Sequence, residues 1–596
     1  MSLGTLGRQE LRQVSRLHRR RAPGWERPRA RAAVTPVVVG ATVIGLVTLV
    51  LRLVFGANGP TDWDGSQYIV GSQHFDVAHG APQPPGYFLY VEAGRALHAV
   101  TGLGAAPSLV LVAALVSAAA AALTCEAGAA LGGMWVGMAA GAVVASAPVS
   151  WFAGSTVSTY SFDALAGALL MLLASGARPH SAHGIGAVVT LGLLTGFRPS
   201  ILPMFVLLTL IPVAASTRSL RQLWVTAAAG AAALAVWFVP MVLIQTGGVR
   251  EWFHAWHAEA VGAAQTSSVF SNPAGAATNF GSFSAYTVLT LGPLAVPAVV
   301  ALVALIVTRA ATGRSAGDAT LRIWQSGSGA SESPARLGKP WYQTTPAIVA
   351  TAAVPPLAIV NLVQFAKGGY VLSYLPALAV LLLLPLGRLV RHRIRGIRRV
   401  SAVIASLAVL AVVGVNVQRF VAAPGILPAS FASSHPGIWI SQVRYGAPYT
   451  DTATTIRRAD AAVASLRALG GVVDSRNDVV VTRFEDGGAT YFRAITYALP
   501  GVRAALVIGS TVVYQELGGP LYYDNRSSVA VAPGGHAVFL LPAPTPELLA
   551  LVHAGRAQPT GVRAAGLAAW RVEPGTTLFG VSIVARPGRQ PLGHGV

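Results

Sequence analysis

The sequence is poor in cysteine and in charged residues. Cys125 is the one cysteine among 596 residues, so the chain cannot form an intramolecular disulfide framework. Charged residues make up 11% of the chain, whereas soluble globular proteins carry about 25%. With 53% hydrophobic residues and a mean hydropathy of +0.57, this composition excludes an ordinary soluble enzyme and a mainly disordered chain. It is typical of a protein with several membrane spans.

Acidic residues and lysine are also scarce. The chain has 43 Lys+Arg against 22 Asp+Glu and a formal net charge of +21. Lys339 and Lys367 are its two lysines, and the heavy use of Arg, Ala, Gly and Val favours a GC-rich bacterial source. An excess of positive charge indicates either nucleic-acid binding or a membrane topology in which basic loops stay on the cytoplasmic side. The positions of the basic residues decide between the two.

Apolar segments long enough to enter a membrane recur through the first 420 residues. A helix that crosses the hydrocarbon core needs about 20 apolar residues, or fewer where it is short or broken. The segments are 34–56, 104–125, 128–147, 160–175, 184–196, 199–214, 223–245, 285–308, 345–364, 370–387 and 400–420. We therefore predict about 11 transmembrane helices in a domain spanning 34–420. The first segment lacks a small-residue cleavage site, so we expect it to remain as a span.

The basic residues follow the sidedness of membrane proteins. The tail 1–33 contains nine Arg and two Glu, and the run from Arg388 to Arg399 contains six Arg. Because cytoplasmic loops are enriched in Lys and Arg, this predicts a cytoplasmic N-terminus and, with an odd number of spans, a C-terminal region outside. The predicted outer loops are 57–103 and 246–284. Charge divided among loops in this way disfavours nucleic-acid binding.

The region 421–596 has mixed composition with turn signals and short β-rich runs. We predict strands at Val479–Phe484, Ala504–Gly509, Ser528–Val531, Ala537–Leu541 and Thr577–Ala585. The stretch Thr454–Leu469 has the period of an amphipathic helix. These patterns predict a soluble α/β domain outside the membrane. The fold class is thus an α-helical polytopic membrane protein with an extracytoplasmic α/β domain.

The first predicted outer loop concentrates acidic residues. Asp62 and Asp64 directly follow the first span, and four acids precede Arg95, the first basic residue after Arg52. A carboxylate at this boundary can meet both a lipid-borne substrate and a water-borne acceptor. Glu92 and Arg95 are three residues apart and are most simply a local helix ion pair.

The order of motifs resembles a known superfamily. An apolar helix, WDGSQY at 63–68, His79 and PPGY at 84–87 resemble the GT-C glycosyltransferases, above all the protein O-mannosyltransferase-like and family 39-like membrane enzymes. GFRP at 196–199 and GGYVLSYLP at 368–376 are similar to family elements at the ends of later spans. The resemblance covers most of the membrane part. It implies transfer of a sugar from a polyprenyl-phosphate donor to an acceptor hydroxyl, usually with inversion, outside the cytoplasm.

The same resemblance assigns roles to individual residues. Asp64 aligns with the essential aspartate and is the expected general base. The family usually has a second acid just beyond it, where this chain has Gly65 and Gln67, and Asp62 is the alternative source of that carboxylate. The sugar, which could be mannose or arabinose, and the acceptor, which could be a cell-envelope glycan, lipid or protein, stay open.

A lipid phosphate that leaves with negative charge needs fixed cations. The basic residues that break the topological pattern are Arg52, Arg95, Arg198, Arg250 and Lys367, and we expect phosphate binding above all from Arg198, Lys367 and Arg250. The alternative for Arg198 and Lys367 is contact with lipid headgroups.

Further binding residues are expected in the same motifs. His79, Tyr87 and Tyr370 belong to the expected binding site for substrate or lipid phosphate. His254 and His257 are spaced for one helical face and with Asp64 are weak candidates for a metal such as Mg or Mn. An aromatic helix at the membrane interface is the simpler interpretation of that histidine pair.

Two other functions remain as alternatives. A polytopic transporter or lipid flippase would also have many spans and a basic cavity, but should place ionisable residues at mid-membrane in broken helices. A non-catalytic GT-C relative that binds cell-envelope polymer would explain the missing second acid at Gly65 or Gln67.

Overall fold

The protein consists of a helical part and a smaller α/β part. The computed structural model describes residues 36–245, 247–311, 340–363, 367–392, 394–423, 451–486, 488–516 and 521–585. The predicted basic tail 1–33 lies outside the described residues, as do the basic residues 314–339 and the stretch 424–450.

Fifteen α-helices are described between residues 36 and 422. They are α1 Pro36–Val54, α2 Trp63–Gln73, α3 Phe88–Thr101, α4 Ala105–Gly132, α5 Met134–Ser146, α6 Pro148–Ser155, α7 Ser161–Gly176, α8 His183–Phe197, α9 Ile201–Ser216, α10 Leu220–Ile244, α11 Gly248–Ser267, α12 Pro273–Ala311, α13 Thr345–Val363, α14 Leu375–Val390 and α15 Arg395–Ala422. Short 3₁₀ helices lie at Val77–His79, Trp341–Gln343 and Gly368–Ser373.

Several of these helices are long and apolar enough to cross a membrane, so the chain is a multi-pass membrane protein. Six described helices meet that test singly: α1, α4, α10, α12, α13 and α15. The pair α5 and α6 meets it jointly, although the two are bent by 60°. Four further apolar helices, α7, α8, α9 and α14, have 15 or 16 residues.

Each predicted apolar segment coincides with a described helix or the greater part of one. The predicted segments 160–175, 184–196 and 199–214 correspond to the short helices α7, α8 and α9. By length and composition the described helices give six or seven spans, so the count of 11 stays a prediction. The boundary near 128 is wrong, because α4 continues to Gly132 and the chain turns at Gly133, whose φ of 90° suits glycine.

Arg52 joins the first helix to the break between α5 and α6. Its side chain is 0% exposed, so it does not reach lipid headgroups. Nη2 donates to the carbonyl oxygen of Ala145 at 2.6 Å, in the last turn of α5, and Nε donates to Ser117 Oγ at 3.2 Å. The guanidinium also lies 5.0 Å from the ring centre of Trp151 in α6. A cation at a helix C-terminus satisfies carbonyls that have lost their helical partners, so Arg52 stabilises the bend.

The region 451–585 forms the predicted α/β domain. Its strands are β1 Val479–Arg483, β2 Arg503–Ile508, β3 Thr511–Glu516, β4 Leu521–Arg526, β5 Ser528–Val531, β6 Ala537–Leu541, β7 Ala557–Ala564, β8 Leu567–Val572, β9 Thr577–Leu578 and β10 Val581–Ala585. Seven form a sheet in the order β4-β3-β2-β1-β6-β8-β7, and the others form a three-stranded sheet β5-β10-β9. Strand β1 runs parallel to β2 and β6, while the remaining pairs of the larger sheet are antiparallel.

Three helices complete the domain: α16 Ala453–Leu466, α17 Gly488–Ala498 and α18 Pro546–His553, with a 3₁₀ turn at Arg467–Gly471. The predicted helix and four of the predicted strands are found within two or three residues of their expected bounds. The fifth, Thr577–Ala585, is a hairpin instead of one strand, because Phe579 and Gly580 take positive φ values of 56° and 71°. β3, β4, β7, β8, α17 and α18 were not predicted.

The α/β domain contacts the segment that carries the acidic residues. The backbone N–H of Asn58 donates to Asp460 Oδ1 of α16 at 2.9 Å, and Tyr497 of α17 donates to the carbonyl of Asn58 at 3.1 Å. Five residues after Asn58, the ring of Trp63 lies 5.6 Å from that of Phe492. The start of α2 is therefore held between the helical part and the α/β domain.

Candidate active site

The candidate site is built around the first turn of α2. Asp62 is the N-cap of this helix, and its Oδ1 accepts a hydrogen bond from the backbone N–H of Gly65 at 2.7 Å. A Cβ at Gly65 would lie 3.0 Å from that oxygen and 3.2 Å from the carbonyl of Val157. A side chain at 65 would thus displace the Asp62 carboxyl group. Glycine at position 65, in place of a second acid, therefore leaves room for the Asp62 carboxyl group beside the helix backbone.

Asp62 has an unusually high pKa for an aspartate. The residue is exposed at the surface, yet desolvation by the surrounding protein raises its pKa to about 6, and repulsion from Asp64 adds to this. The charge of Lys367 and the hydrogen bond from Gly65 lower the pKa but do not offset the desolvation. The two aspartates are therefore close enough to influence each other, and Asp62 titrates near neutral pH.

Asp64 forms an ion pair with one of the two lysines of the chain. Lys367 Nζ lies 2.5 Å from Asp64 Oδ2, and both side chains are about one-fifth exposed, at 21% and 20%. Lys367 precedes the 3₁₀ helix Gly368–Ser373. Residues 303 positions apart in sequence thus meet where α2 begins, and the pair remains accessible from solvent.

Arg198 lies deeper than Lys367 and is bound to an acid within the bundle. It follows the last residue of α8, is 2% exposed, and its Nε lies 2.8 Å from Asp163 Oδ2 in the first turn of α7. Its Nη1 donates to Thr159 Oγ1 at 2.8 Å. In the described part of the chain, Arg198 Nη2 and Asp163 Oδ1 have no hydrogen-bond partner although both are buried. Burial rules out headgroup contact for Arg198.

Tyrosine side chains surround this arginine. The guanidinium carbon lies 4.0 Å from the ring centre of Tyr160 and 4.9 Å from that of Tyr370. Ring faces attract cations, so the two tyrosines stabilise the buried charge. A Cβ at Gly369 would overlap the Tyr160 ring, so the glycine next to Tyr370 allows this close packing.

The PPGY motif positions another tyrosine in the same cluster. Gly86 and Tyr87 both have positive φ values, of 117° and 45°. The Tyr87 ring packs edge to face against Tyr68 at 5.0 Å. Desolvation raises the pKa of Tyr87 above its usual range, and Arg198, Tyr370 and Asp64 all act on its charge. A left-handed backbone at a non-glycine residue is costly and tends to occur where a side chain must be placed accurately.

Six of the predicted site residues therefore meet in one cluster. These are Asp62, Asp64, Tyr87, Arg198, Lys367 and Tyr370. His79 ends the 3₁₀ helix Val77–His79, but its side chain lies outside the described part of the structure.

The remaining predicted residues lie apart on α11. Arg250, His254 and His257 are exposed on this helix. The helix contacts the first loop through Trp252, whose Nε1 donates to the carbonyl of Pro85 at 3.0 Å. With Phe253 51% and Trp256 39% exposed, α11 has the character of an interfacial aromatic helix.

No metal site is assembled in the described residues. No group of three or more His, Cys, Asp or Glu side chains converges there in a way that could hold an ion. His254 and His257 lie on α11, and Asp64 is bound to Lys367. These residues do not fit the predicted metal centre in this arrangement, and no step below is assigned to a metal.

Three residues of the cluster were not predicted as part of it. Asp163 is an acid within the predicted apolar segment 160–175, a signal that could have suggested a partner for Arg198. Tyr160 does not belong to any of the motifs described above. Asp451 comes from the start of the α/β domain, and its pKa is raised well above the usual range by desolvation and by the charge of Asp62. Its place at the site depends on how the two parts of the chain pack, which no local pattern indicates.

Two solved structures are similar in overall architecture. Crystal structures of ArnT from Cupriavidus metallidurans, one bound to undecaprenyl phosphate and one in the apo state, are each 13% identical in sequence. The first covers 90% of this chain and 97% of its own with a TM-score of 0.46; the second covers 89% and 97% with a TM-score of 0.44. No family model and no curated protein matches the chain.

Breaking the Arg198–Asp163 pair is expected to destabilise the protein strongly. Asp163→Asn leaves a buried guanidinium without its counter-ion, which typically costs about 3–5 kcal/mol, whereas Asp163→Leu combined with Arg198→Met removes both charges and should recover much of the loss. Thermal unfolding in detergent measures the stability of the single and the double variant. Glu92→Gln is the matched control, since the Glu92–Arg95 pair at 2.6 Å is about one-third exposed, at 34% and 33%, and should contribute about 1 kcal/mol or less. Equal effects of Asp163→Asn and Glu92→Gln would contradict this assignment.

Proposed function

We propose that the protein is a membrane glycosyltransferase that moves a sugar from a polyprenyl-phosphate donor to an acceptor hydroxyl. One observation carries this proposal: two carboxylates and two fixed cations meet at the end of an apolar helix bundle, where a lipid donor and a water-borne acceptor can both arrive. The sequence resemblance to the GT-C enzymes supports the same reaction. Mannose and arabinose remain candidate sugars, and the reaction is expected to invert the anomeric carbon.

The acceptor hydroxyl needs a base. As its oxygen forms a bond to the anomeric carbon, the hydroxyl proton passes to a carboxylate, and the bond from the anomeric carbon to the phosphate oxygen breaks. We assign the base to Asp64, with Asp62 as the alternative. Asp64 is one-fifth exposed and so accessible to an acceptor. Asp62 uses Oδ1 to cap α2, which leaves Oδ2 as its second oxygen.

The departing polyprenyl phosphate needs positive charge. In the described arrangement Lys367 is bound to Asp64. A donor phosphate placed beside Lys367 would compete for this ammonium group, and Asp64 would become a better base as its cation is withdrawn. The unpartnered Nη2 of Arg198 supplies a second donor nearby. Binding of the donor and activation of the base are then coupled through one lysine.

The aromatic residues complete the donor site. The Tyr370 ring centre lies 4.9 Å from the Arg198 guanidinium carbon, and the Tyr87 ring packs against Tyr68 of α2. Their rings and hydroxyl groups can contact the sugar while the cations hold the phosphate. We assign Arg250 no direct contact with the donor. It lies on α11, which contacts the PPGY turn and is suited to contact headgroups of the surrounding membrane.

The transporter alternative fits the charge placement less well. A transporter should have ionisable residues in the middle of its spans. Here Arg52 lies in the last turn of α1, Asp163 in the first turn of α7, and Arg198 directly after α8. These charges lie at helix ends, as expected for a site at the membrane boundary.

Asp64→Asn should abolish sugar transfer while the protein still inserts into the membrane. An amide of the same shape cannot accept the acceptor proton, and loss of a general base typically lowers kcat by about 10²–10⁴-fold. The measurement is transfer from labelled polyprenyl-phosphate mannose and arabinose in reconstituted vesicles. Asp62→Asn is the matched control. If only that variant is inactive the base is Asp62, and full activity of both would contradict the mechanism.

Activity should fall as the pH drops through about 6, the pKa of Asp62. Because this pKa is raised, Asp62 is protonated below that pH and loses the negative charge that makes the neighbouring Asp64 a stronger base. We expect kcat/KM to rise from pH 5 to pH 7 with an inflection near 6. In Asp62→Asn, any remaining activity should lack this inflection. An unchanged inflection in the variant would assign it to another group.

Lys367→Met should weaken use of the lipid donor. A charged hydrogen bond to phosphate contributes about 1.5–3 kcal/mol, so kcat/KM for the donor should fall by about tenfold or more. Lys367→Arg keeps the charge and should retain most of the activity. Donor titrations at saturating acceptor separate this effect from acceptor binding. Unchanged donor kinetics in Lys367→Met would remove the lysine from the mechanism.

A further inference from the structure

A cavity of about 330 Å³ lies between α2 and the α/β domain, apart from the cluster described above. From α2 it is lined by Ile69, Val70 and Gln73. From the domain it is lined by Arg467, Thr496, Tyr497, Ala498 and Pro500. Its volume falls within the range of about 300–1,000 Å³ that is usual for small-molecule sites.

None of these lining residues belongs to a helix long or apolar enough to enter a membrane. A lipid-borne donor approaches through the bilayer and would not pass through this cavity. Because five of the eight lining residues belong to the α/β domain, which we expect to lie in water, a water-borne ligand can reach this cavity. In the proposed reaction the substrate with that origin is the acceptor.

We propose that this cavity, named here the seam cavity, binds a carbohydrate chain as the acceptor. The inference rests on the proposed function and specifies its substrate class. The seam cavity combines the ring of Tyr497, the guanidinium of Arg467, the amide of Gln73 and the hydroxyl of Thr496. An aromatic face beside such polar groups suits a sugar, which has apolar ring faces and a rim of hydroxyl groups.

The secondary structure around the cavity favours a glycan over a peptide. A bound extended peptide usually pairs its backbone with the edge of a sheet. Six lining residues lie in the helices α2 and α17, Arg467 starts a 3₁₀ helix, and Pro500 has no N–H. Backbone partners are therefore scarce along the lining, which consists mainly of side chains.

The seam cavity lies on the same helix as the acidic residues. Ile69 is five residues after Asp64 on α2, which is about 7.5 Å along a helix axis. Tyr497 donates a hydrogen bond to Asn58, four residues before Asp62. The terminal sugar of the acceptor would then present its hydroxyl to Asp64 or Asp62, while the following sugar units occupy the seam cavity.

The test compares acceptors of increasing length in reconstituted vesicles. The probes are octyl mannosides of one, two and three sugar units, with labelled polyprenyl-phosphate mannose and arabinose as donors. In the unmodified protein we expect the acceptor KM to fall about tenfold from one unit to three, as the added units make one or two net hydrogen bonds. Val70→Trp, which fills the cavity, and Arg467→Ala should remove this advantage without changing the donor KM.

Ala464→Trp is the control, because this exposed residue of α16 does not line the cavity. The inference would be overturned if the acceptor KM fell equally from one unit to three in Val70→Trp and in the unmodified protein. It would also be overturned if the unmodified protein consumed the donor with an acceptor KM that did not depend on glycan length. Efficient use of a serine- or threonine-containing peptide, blocked by Val70→Trp, would assign the cavity to peptides. No donor consumption with any acceptor would overturn the proposed function, and this inference with it.

Discussion

The ion pair between Arg198 and Asp163 is the interaction on which the site depends. It joins the start of α7 to the end of α8 at 2.8 Å, with both side chains almost fully buried. Removing two charges from water is costly unless they find each other and further polar contacts. Thr159 and the faces of Tyr160 and Tyr370 provide those contacts. Because Tyr370 is three residues from Lys367, the buried pair also fixes where Lys367 meets Asp64.

The sequence predicts the helical part well, because membrane spans depend on local composition. Every predicted apolar segment lies largely in described helices, and the described strands all lie after residue 451, within the region 421–596 where the composition changes. The boundary between α4 and α5 was misplaced, since both sides of the turn at Gly133 are equally apolar. In the α/β domain, runs such as Ala537–Leu541, buried throughout, were recognisable. β7, whose residues alternate between buried and exposed around Pro559 and Gly561, was not.

The site was predictable where residues adjoin one another and unpredictable where distant residues pair. Asp62, Asp64 and the PPGY turn are recognisable in one loop, and Arg198 and Lys367 stand out as exceptions to the distribution of basic residues. Nothing local indicates that Lys367 is bound to Asp64, 303 positions away. Asp451 reaches the site only through the packing of the α/β domain. The predicted role of Arg250 as a direct phosphate ligand has no counterpart in the cluster, since it lies exposed on α11.

The α/β domain contacts the segment 58–64, which carries Asp62 and Asp64, at two points. Asn58 binds Asp460 and Tyr497 just before Asp62, and Trp63, between the two aspartates, packs on Phe492. The helical part is therefore not sufficient to hold this turn. Without the α/β domain, the turn would lose its partners on both sides of the two carboxylates, so the positions of the Asp62 and Asp64 side chains would no longer be fixed. A change in the α/β domain where it contacts Asn58 and Trp63 can thus move both aspartates without altering any residue of the helical part.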